Sequence, residues 1–485
     1  MKIFRPWTIN EQEMIPIPLE DRISKDHIVF WIRDIVFEIT RSDVLNWRLG
    51  INGGRPSYNP AMMCAILIFA YMRGVRSSRR IHRLLLENIA FKVLSGDQAP
   101  DFRTISEFRR IHFAFFQKVF TRIIHLAIQL KMVDLGAIIV DGTILFANAS
   151  KKNSRRFNSL KKLEHEELEE IKNNAVDKVV IRILEEADEA DSEDDRLYGQ
   201  EGFPDPIFAD SDAIPASRLE RIQKAIKVVE ESEKKRVKKI NKRKASLVRR
   251  CNSTGKRAGK KYRRIKKMPK HIKIKGLSNA IKRLTKVVIP KQRRGNTTDP
   301  ESNRMSHPQT GGFVQGHRIV RSTDANSGII LDTKVVTDTG ESKSLPTVIA
   351  RVKKRIGTRV ITRVVVDKGF SGEPNLKALD ELNVHETVIP QIKTSKRSQR
   401  VLEAKKLVIK RQYWMKKRKR IEAGFGHTKE NKGLRRLLLR GIRGAEIESI
   451  LDAIGFNLEK IAATFKVIPK VTINKALKFA SNLGF

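Results

Sequence analysis

Cysteine is nearly absent from this chain. Its 485 residues include two, Cys64 in an apolar stretch and Cys251 in a basic one, and neither has a partner at CxxC spacing. That excludes a thiolate zinc site and a disulfide framework, and it fits a reducing, cytoplasmic compartment. Long hydrophobic runs are missing as well. The longest, Ala61 to Met72, is too short to cross a bilayer and reads as a core helix, so no membrane partner is expected. The polar start, MKIFRPWTINEQ, lacks the apolar segment of a secretory signal. Aromatic residues make up 6%, too few for stacking on unpaired bases to be the main mode of binding. Acids are outnumbered, 54 Asp and Glu against 98 Lys and Arg, for a net charge of +44 and a pI near 10.4. That excess is beyond what solubility needs and points to a polyanion, DNA or RNA before membrane, with binding that weakens steeply as salt rises.

What is present supplies real cores: 40% of the residues are hydrophobic, and the length suits two or three domains. After Pro16 and Pro18, Asp26 to Ile39 reads as a helix with Ile28, Val29, Ile32, Ile35 and Val36 inward. The turn cluster GRPSYNP ends with Ser57 or Asn59 as a cap and Pro60 in the first turn of the next helix. A charged helix is expected from Ser77 to about Leu94, with Arg79, Arg80 and Arg83 off its apolar face. A third is expected to open on Thr104-Ile-Ser-Glu107, a capping-box pattern, with Arg109 and Arg110 near its start. Two helices joined by a short turn with exposed cations suit a helix-turn-helix that touches DNA; a plain helical bundle is the other reading.

From Gly136 to Ser150 a β-branched run broken by Asp141 reads as a buried strand. Residues 151–296 form a basic insertion without strand signal, with an acidic patch at 185–195 and a loop near 203–215. Two apolar stripes, Leu163, Leu168, Ile171, Val179, Ile183 and Leu219, Ile222, Ile226, Val229, suggest a helical hairpin. A basic block follows at 256–275. Beyond it come a β-hairpin around Asp324 to Gly328, a helix at 343–355, a strand at 360–366 and a helix at 373–382. A short strand at 385–392, a helix over Lys416 to Arg436 and a last helix at 446–462 complete the order, which describes a mixed α/β domain interrupted after its first strand.

Three acids stand out: Asp141 within a strand, Asp367 at a strand's carboxyl end, and Glu422 on the late helix. An ionised carboxylate inside a strand costs several kcal/mol, on the order of a buried charge, unless it is paired or binds a metal. Asp141 could also be a hydrogen-bonded structural acid, and Asp367 a turn cap. Together the three make an all-oxygen cradle for two Mg²⁺ or Mn²⁺ ions, which at ~3.5–4 Å spacing activate an attacking oxygen and stabilise a leaving one. Arg418 and Lys429 share a helical face with Glu422, and Lys368 follows Asp367; all three are candidates to hold DNA phosphates. The single histidines His307, His317 and His427 suit hydrogen bonding or solvent better than metal ligation.

These residues resemble the DDE transposases of the IS4 and IS5-like group, most closely the IS1182 kind. The likeness runs through GRPSYNPAMM and GVRSSRRIHRLLLENIAFKVLSGDQAPDFRTISEFRR near the start, VDGT around Asp141, DPESNRM at Asp299 to Met305, VVVDKGFSG around Asp367, and RKRIEAGFGHTK with Arg418, Glu422 and Lys429. The family tyrosine falls at Met415, with Tyr413 two residues out of register. The resemblance implies an all-α N-terminal DNA-binding domain (1–130) and an RNase H-like core of a mixed sheet flanked by helices (131–150 and 297–465). A helical insertion (151–296) and a C-terminal tail (466–485) complete the expected division. It also implies metal-dependent nicking of double-stranded DNA at terminal inverted repeats, followed by 3′-hydroxyl attack on target DNA. The catalytic metal ligands would be Asp141, Asp367 and Glu422, in a nucleoid-associated, dimeric complex. Two alternatives remain: a transposase-derived DNA-binding protein without catalysis, and an RNase H-like nuclease without strand transfer.

Overall fold

The structure is a computed structural model. It describes residues 18–48, 58–149, 153–172, 220–232, 234–235, 294–306, 312–336, 344–357, 359–370, 373–388 and 408–464. The chain forms two compact units, one of residues 1–147 with 316–485, the other of residues 148–315.

The first unit begins with six helices: α1 (Ile28–Arg48), α2 (Pro60–Met72), α3 (Ser78–Glu87), α4 (Ile89–Ser95), α5 (Phe102–Ile111) and α6 (Phe113–Gln129). Asn59 caps α2, its side chain accepting from the Ala61 N–H, and Pro60 fills the first turn. A helix apolar on every side must be enclosed, and α2 is buried from Met63 to Met72. The helix expected over Ser77 to Leu94 is two helices. Asn88 ends α3 and caps α4, its side chain accepting from Ala90 and Phe91 N–H groups that a continuous helix would bond to carbonyls. Helix α5 starts earlier than its capping-box pattern suggests: Asp101 caps it by accepting from the Arg103 N–H at 2.8 Å. An Asp two residues before the first free N–H does the job that the pattern assigned to Thr104.

Strand β1 (Ala137–Phe146) follows, and after the insertion come β5 (Phe313–Asp324), β6 (Ile330–Val336), α8 (Leu345–Ile356), β7 (Arg363–Val366), α9 (Glu373–Glu381), β8 (Glu386–Val388), α10 (Val408–Glu430) and α11 (Gly441–Thr464). Among these strands the order is β6–β5–β1–β7–β8. Strands β6, β5 and β1 run antiparallel in turn, while β1, β7 and β8 are parallel. This mixed sheet flanked by helices fits an RNase H-like domain. Side chains alternate along the strands. Ile138, Val140, Val364 and Val366 enter the large core with α1 to α6, α8 and α11, whereas Ala137, Ile139, Val365 and Val388 meet Trp414 and Met415 of α10.

The large core runs without a break from Val29 of α1 to Ile461 of α11. The boundary expected near residue 130 therefore does not divide the core, because α11 lies against both α2 and α6 on one side and β6 on the other. Helix α10 starts before Lys416 and stops at Glu430. The chain then turns at Gly433, φ +65°, and runs back beside β1, where Phe146 N–H donates to Arg435 O and Leu437 N–H to Phe146 O.

In the second unit, β2 (Ser154–Arg156) pairs antiparallel with β3 (Arg294–Asn296), and α7 (Phe157–Lys172) follows β2; β4 spans Asn303–Ser306. Leu160, Ile222, Ala225 and Ile226 pack together, with Phe157 and Leu163 against them, so both apolar stripes meet where they are described. The β2–β3 ribbon was not expected, since Ser-Arg-Arg and Arg-Gly-Asn carry none of the β-branched residues that mark strands. Leu219, Val179, Ile183, the acidic patch, the 203–215 loop and the 256–275 block lie outside the described residues, as do the side chains of Leu168 and Ile171.

Candidate active site

Backbone register brings the first two acids side by side. The β1–β7 ladder ends at the pair Val140 and Val366, so Asp141 and Asp367 are the next residues on adjacent parallel strands. Both share the parity of Ile139 and Val365, which face α10. Helix α10 is held across that face by Trp414 and Met415, and two turns further on it presents Glu422.

One guanidinium joins the three. Arg418 lies 3.1 Å from Asp367 Oδ1, 2.7 Å from Glu422 Oε1 and 3.7 Å from Asp141 Oδ1. Its side chain is 14% exposed, that of Asp141 16%, those of Asp367 and Glu422 44% and 43%, so the cluster has a closed floor and an open mouth. Burial pushes the Asp141 carboxyl up to about 6, against the pull of Arg418 and a hydrogen bond from the Gly142 N–H, and Glu422 and Asp367 add to the rise. Burial also holds the Lys429 ammonium below its usual range, as do Arg435 and Arg321, while Glu430 and Asp141 oppose the shift.

The opposite neighbour of Asp141 across the ladder is Arg321 of β5. It is tied to Asp452 at 2.7 Å and to Ser449 of α11, with its guanidinium 5.1 Å from the ring centre of Phe425 on α10. Three carboxylates from three elements form an oxygen-only donor set suited to Mg²⁺ or Mn²⁺. With Arg418 among them, no group of three or more His, Cys, Asp and Glu side chains among the described residues stands at metal-holding distance.

Other expected site residues fall differently. Arg418, expected on a DNA phosphate, is turned onto the acids. Arg109 is a correction: it is 1% exposed and donates to Arg76 O at 2.7 Å and Ser78 Oγ at 3.1 Å. It follows Ile105 by four residues, so it shares that residue's inward face. Arg79 stacks on Phe102 at 5.2 Å, Arg80 and Arg110 are exposed, and Arg110 stands 4.0 Å from Glu107. Lys368 opens a short 3-10 turn beside Asp367; its side chain is outside the described residues, as is His307. His317 is buried, and exposed His427 bonds Asn431.

Sequence reasoning missed the charges buried behind the site. Arg76 donates to Glu448 at 2.7 Å, with both side chains at most 4% exposed, and also to Gly433 O. Glu448 accepts from the N–H groups of Leu438 and Leu439. The signal was available: Glu448 and Asp452 sit at i and i+4 inside the apolar stripe of α11.

The parallel-strand acids and the helix laid over them gather three carboxylates at one end of a mixed sheet that fits an RNase H-like domain. Residues 17–110 match the family described as Transposase domain (DUF772), and residues 285–458 match the Transposase DDE domain family; together these matches cover more than half of the sequence. The chain belongs to the DDE transposases, with an N-terminal domain of the IS1182 type, and so to the transposases of insertion sequences. No curated protein matches it, and no solved structure does.

Proposed function

We propose that this transposase cuts double-stranded DNA at the terminal inverted repeats of its element and joins the freed ends to target DNA. Asp141, Asp367 and Glu422 are its catalytic acids. The observation that carries the reading is the single Arg418 guanidinium reaching all three carboxylates: acids from β1, β7 and α10 repel one another, and their cluster demands positive charge. They would hold two Mg²⁺ or Mn²⁺ ions, which when bound supply Lewis-acid activation of a phosphodiester and of the attacking oxygen. Hydrolysis breaks a P–O3′ bond and leaves a 3′-hydroxyl, which then attacks a target phosphodiester and releases a new 3′-hydroxyl there. Lys429, Lys368, Arg79, Arg80 and Arg110 position the backbone by contacts that carry no sequence information. Arg418 keeps the acids gathered before cations arrive. Two ends held together call for two copies of the chain in the DNA complex.

The test is cleavage of end-bearing duplex DNA with Mg²⁺. Asp141→Ala, Asp367→Ala and Glu422→Ala should each abolish cutting while DNA binding survives; normal cutting by any of them overturns the assignment. A second reading, a DNA-binding protein without catalysis, draws on the same guanidinium, since a closed ion-pair knot needs no metal. Calorimetric titration of wild type with Mn²⁺ showing no site would favour it. Joining of pre-cut ends to plasmid DNA separates a transposase from a nuclease that never performs strand transfer.

A further inference from the structure

We propose that the β2–β3 ribbon of the second unit is a phosphate-backbone contact for duplex DNA, made by Arg156 and Arg294 acting as a pair. The inference rests on the reading of the chain as a DNA-acting protein, and it assigns that role to residues outside the candidate active site.

The ribbon has two faces that register tells apart. Arg155 stands opposite Gly295, and Arg156 opposite Arg294. Gly295 lies against the unit's helices: a Cβ there would stand 3.1 Å from Leu160 Cδ1, 3.2 Å from Val229 Cγ2 and 3.3 Å from Ala225 O. Side chains alternate along a strand, and directly opposed residues share a face. Arg156 and Arg294 therefore project together from the face away from the helices, and both are exposed.

Like charges directly opposite one another on an antiparallel pair destabilise it. Among the described residues neither arginine is ion-paired to an acid, although nearby lysines are: Lys161 pairs with Glu164 and Glu230, and Lys224 with Glu301. Self-repulsion at this position is thus left without an acid among the described residues to offset it, unlike the charges of Lys161 and Lys224. Directly opposed Cβ atoms stand about 5 Å apart, so both side chains serve the same patch, and each guanidinium is a donor fork that takes phosphate oxygens bidentately, as an ammonium does not. The partner that fits is a regular polyanion, and the chain's charge of +44 and its transposase family make it duplex DNA.

Full-length protein is titrated with a short duplex of arbitrary sequence in EDTA, by fluorescence anisotropy over a series of salt concentrations. Each neutralised phosphate contributes about 0.9 to the slope of log K against log salt. The Arg156→Ala/Arg294→Ala double variant should lose about two from that slope and bind about tenfold more weakly at low salt. The loss should be the same for terminal-repeat and arbitrary duplexes, because backbone contacts do not read bases. Arg156→Lys/Arg294→Lys should recover the slope and only a fraction of the affinity. Its melting temperature should stay at the wild-type value and that of the double alanine variant should match or exceed it, which separates lost contact from lost folding. An unchanged slope in the double alanine variant overturns the proposal and leaves the arginines as edge charges that discourage strand addition. Since the titration contains no free metal, this outcome is independent of the cleavage test on Asp141, Asp367 and Glu422.

Discussion

Asp141→Asn should make the metal-free protein more stable at neutral pH, because the wild-type carboxylate is held ionised in a place that resists charge. Burial and the two neighbouring acids raise its pKa from 3.8 to about 6. A shift of that size corresponds to about 3 kcal/mol, at about 1.4 kcal/mol per unit. An acid whose folded pKa lies above its unfolded one adds most to stability below the unfolded value. That contribution is lost as pH climbs from about 3.8 to about 6, and the full cost is present above. The advantage of the Asn variant should therefore be near zero at pH 4, grow through pH 5 and level off above 6.5. Urea unfolding in EDTA, followed by tryptophan fluorescence at each pH, reads it directly. With a slope of at least about 3 kcal/mol per molar urea for a chain of this size, the plateau difference is a midpoint shift of roughly 1 M. Mg²⁺ at about a hundred times its dissociation constant should return about 2.7 kcal/mol to the wild type and almost nothing to the variant, so added metal closes the gap. A variant no more stable than wild type at pH 7.5, or an advantage that does not depend on pH, would refute the argument that burial, with a smaller part from like charge, strains a carboxylate that a cation would relieve.

Other substitutions test the scaffold behind the acids. Arg76→Met leaves Glu448 charged, buried and without its guanidinium, and should cost about 3–5 kcal/mol, read as an apparent melting temperature lower by roughly 4–8 °C in a unit of this size. Arg109→Lys should lose about 1–3 kcal/mol, since a single ammonium cannot reach both Arg76 O and Ser78 Oγ; DNA affinity of the folded protein should not change, as it would for a phosphate contact. Gly444→Val places a Cβ 2.7 Å from Leu439 Cβ, and the overpacking should cost about 1–3 kcal/mol in thermal unfolding.

Much of this arrangement is written locally in the chain. In β1 the period of two puts Asp141 in line with Ala137 and Ile139, and in β7 it puts Asp367 in line with Val365, so both acids inherit the direction of apolar neighbours bound for α10. The helical period of about 3.6 places Arg418 one turn from Glu422, and they form an ion pair at 2.7 Å. What the sequence conceals is which cations are inside. Arg109 reads as surface charge and nothing local marks Arg76 or Arg321 as interior, yet each is enclosed, because its partner is a backbone carbonyl or an acid far away along the chain. The break at Asn88 is hidden for a related reason: a side chain that caps a new helix and one that decorates a continuous helix look alike until the backbone N–H groups are traced. Short polar strands such as β2 and β3 offer no hydrophobic alternation to read.

The long-range pairs explain why an N-terminal helical region and a catalytic sheet share one core. Helix α11 lies between them and spends its polar residues on anchoring. Glu448 takes the Leu438 and Leu439 N–H groups just beyond α10 and the Arg76 guanidinium from the α2–α3 turn. Asp452 takes Arg321, the ladder neighbour of Asp141, and Asn457 exchanges two 2.8 Å bonds with the backbone of Ile330 at the start of β6. Arg321 in turn supports Phe425, three residues after Glu422 on the same helix. The position of the third acid thus depends on α11, and α11 depends on α2 and α6 for its other face. Asp141 and Glu422 are far apart in sequence and separated by a basic insertion, so local structure alone cannot set their distance. The N-terminal helices set it, by fixing α11 against the back of the sheet.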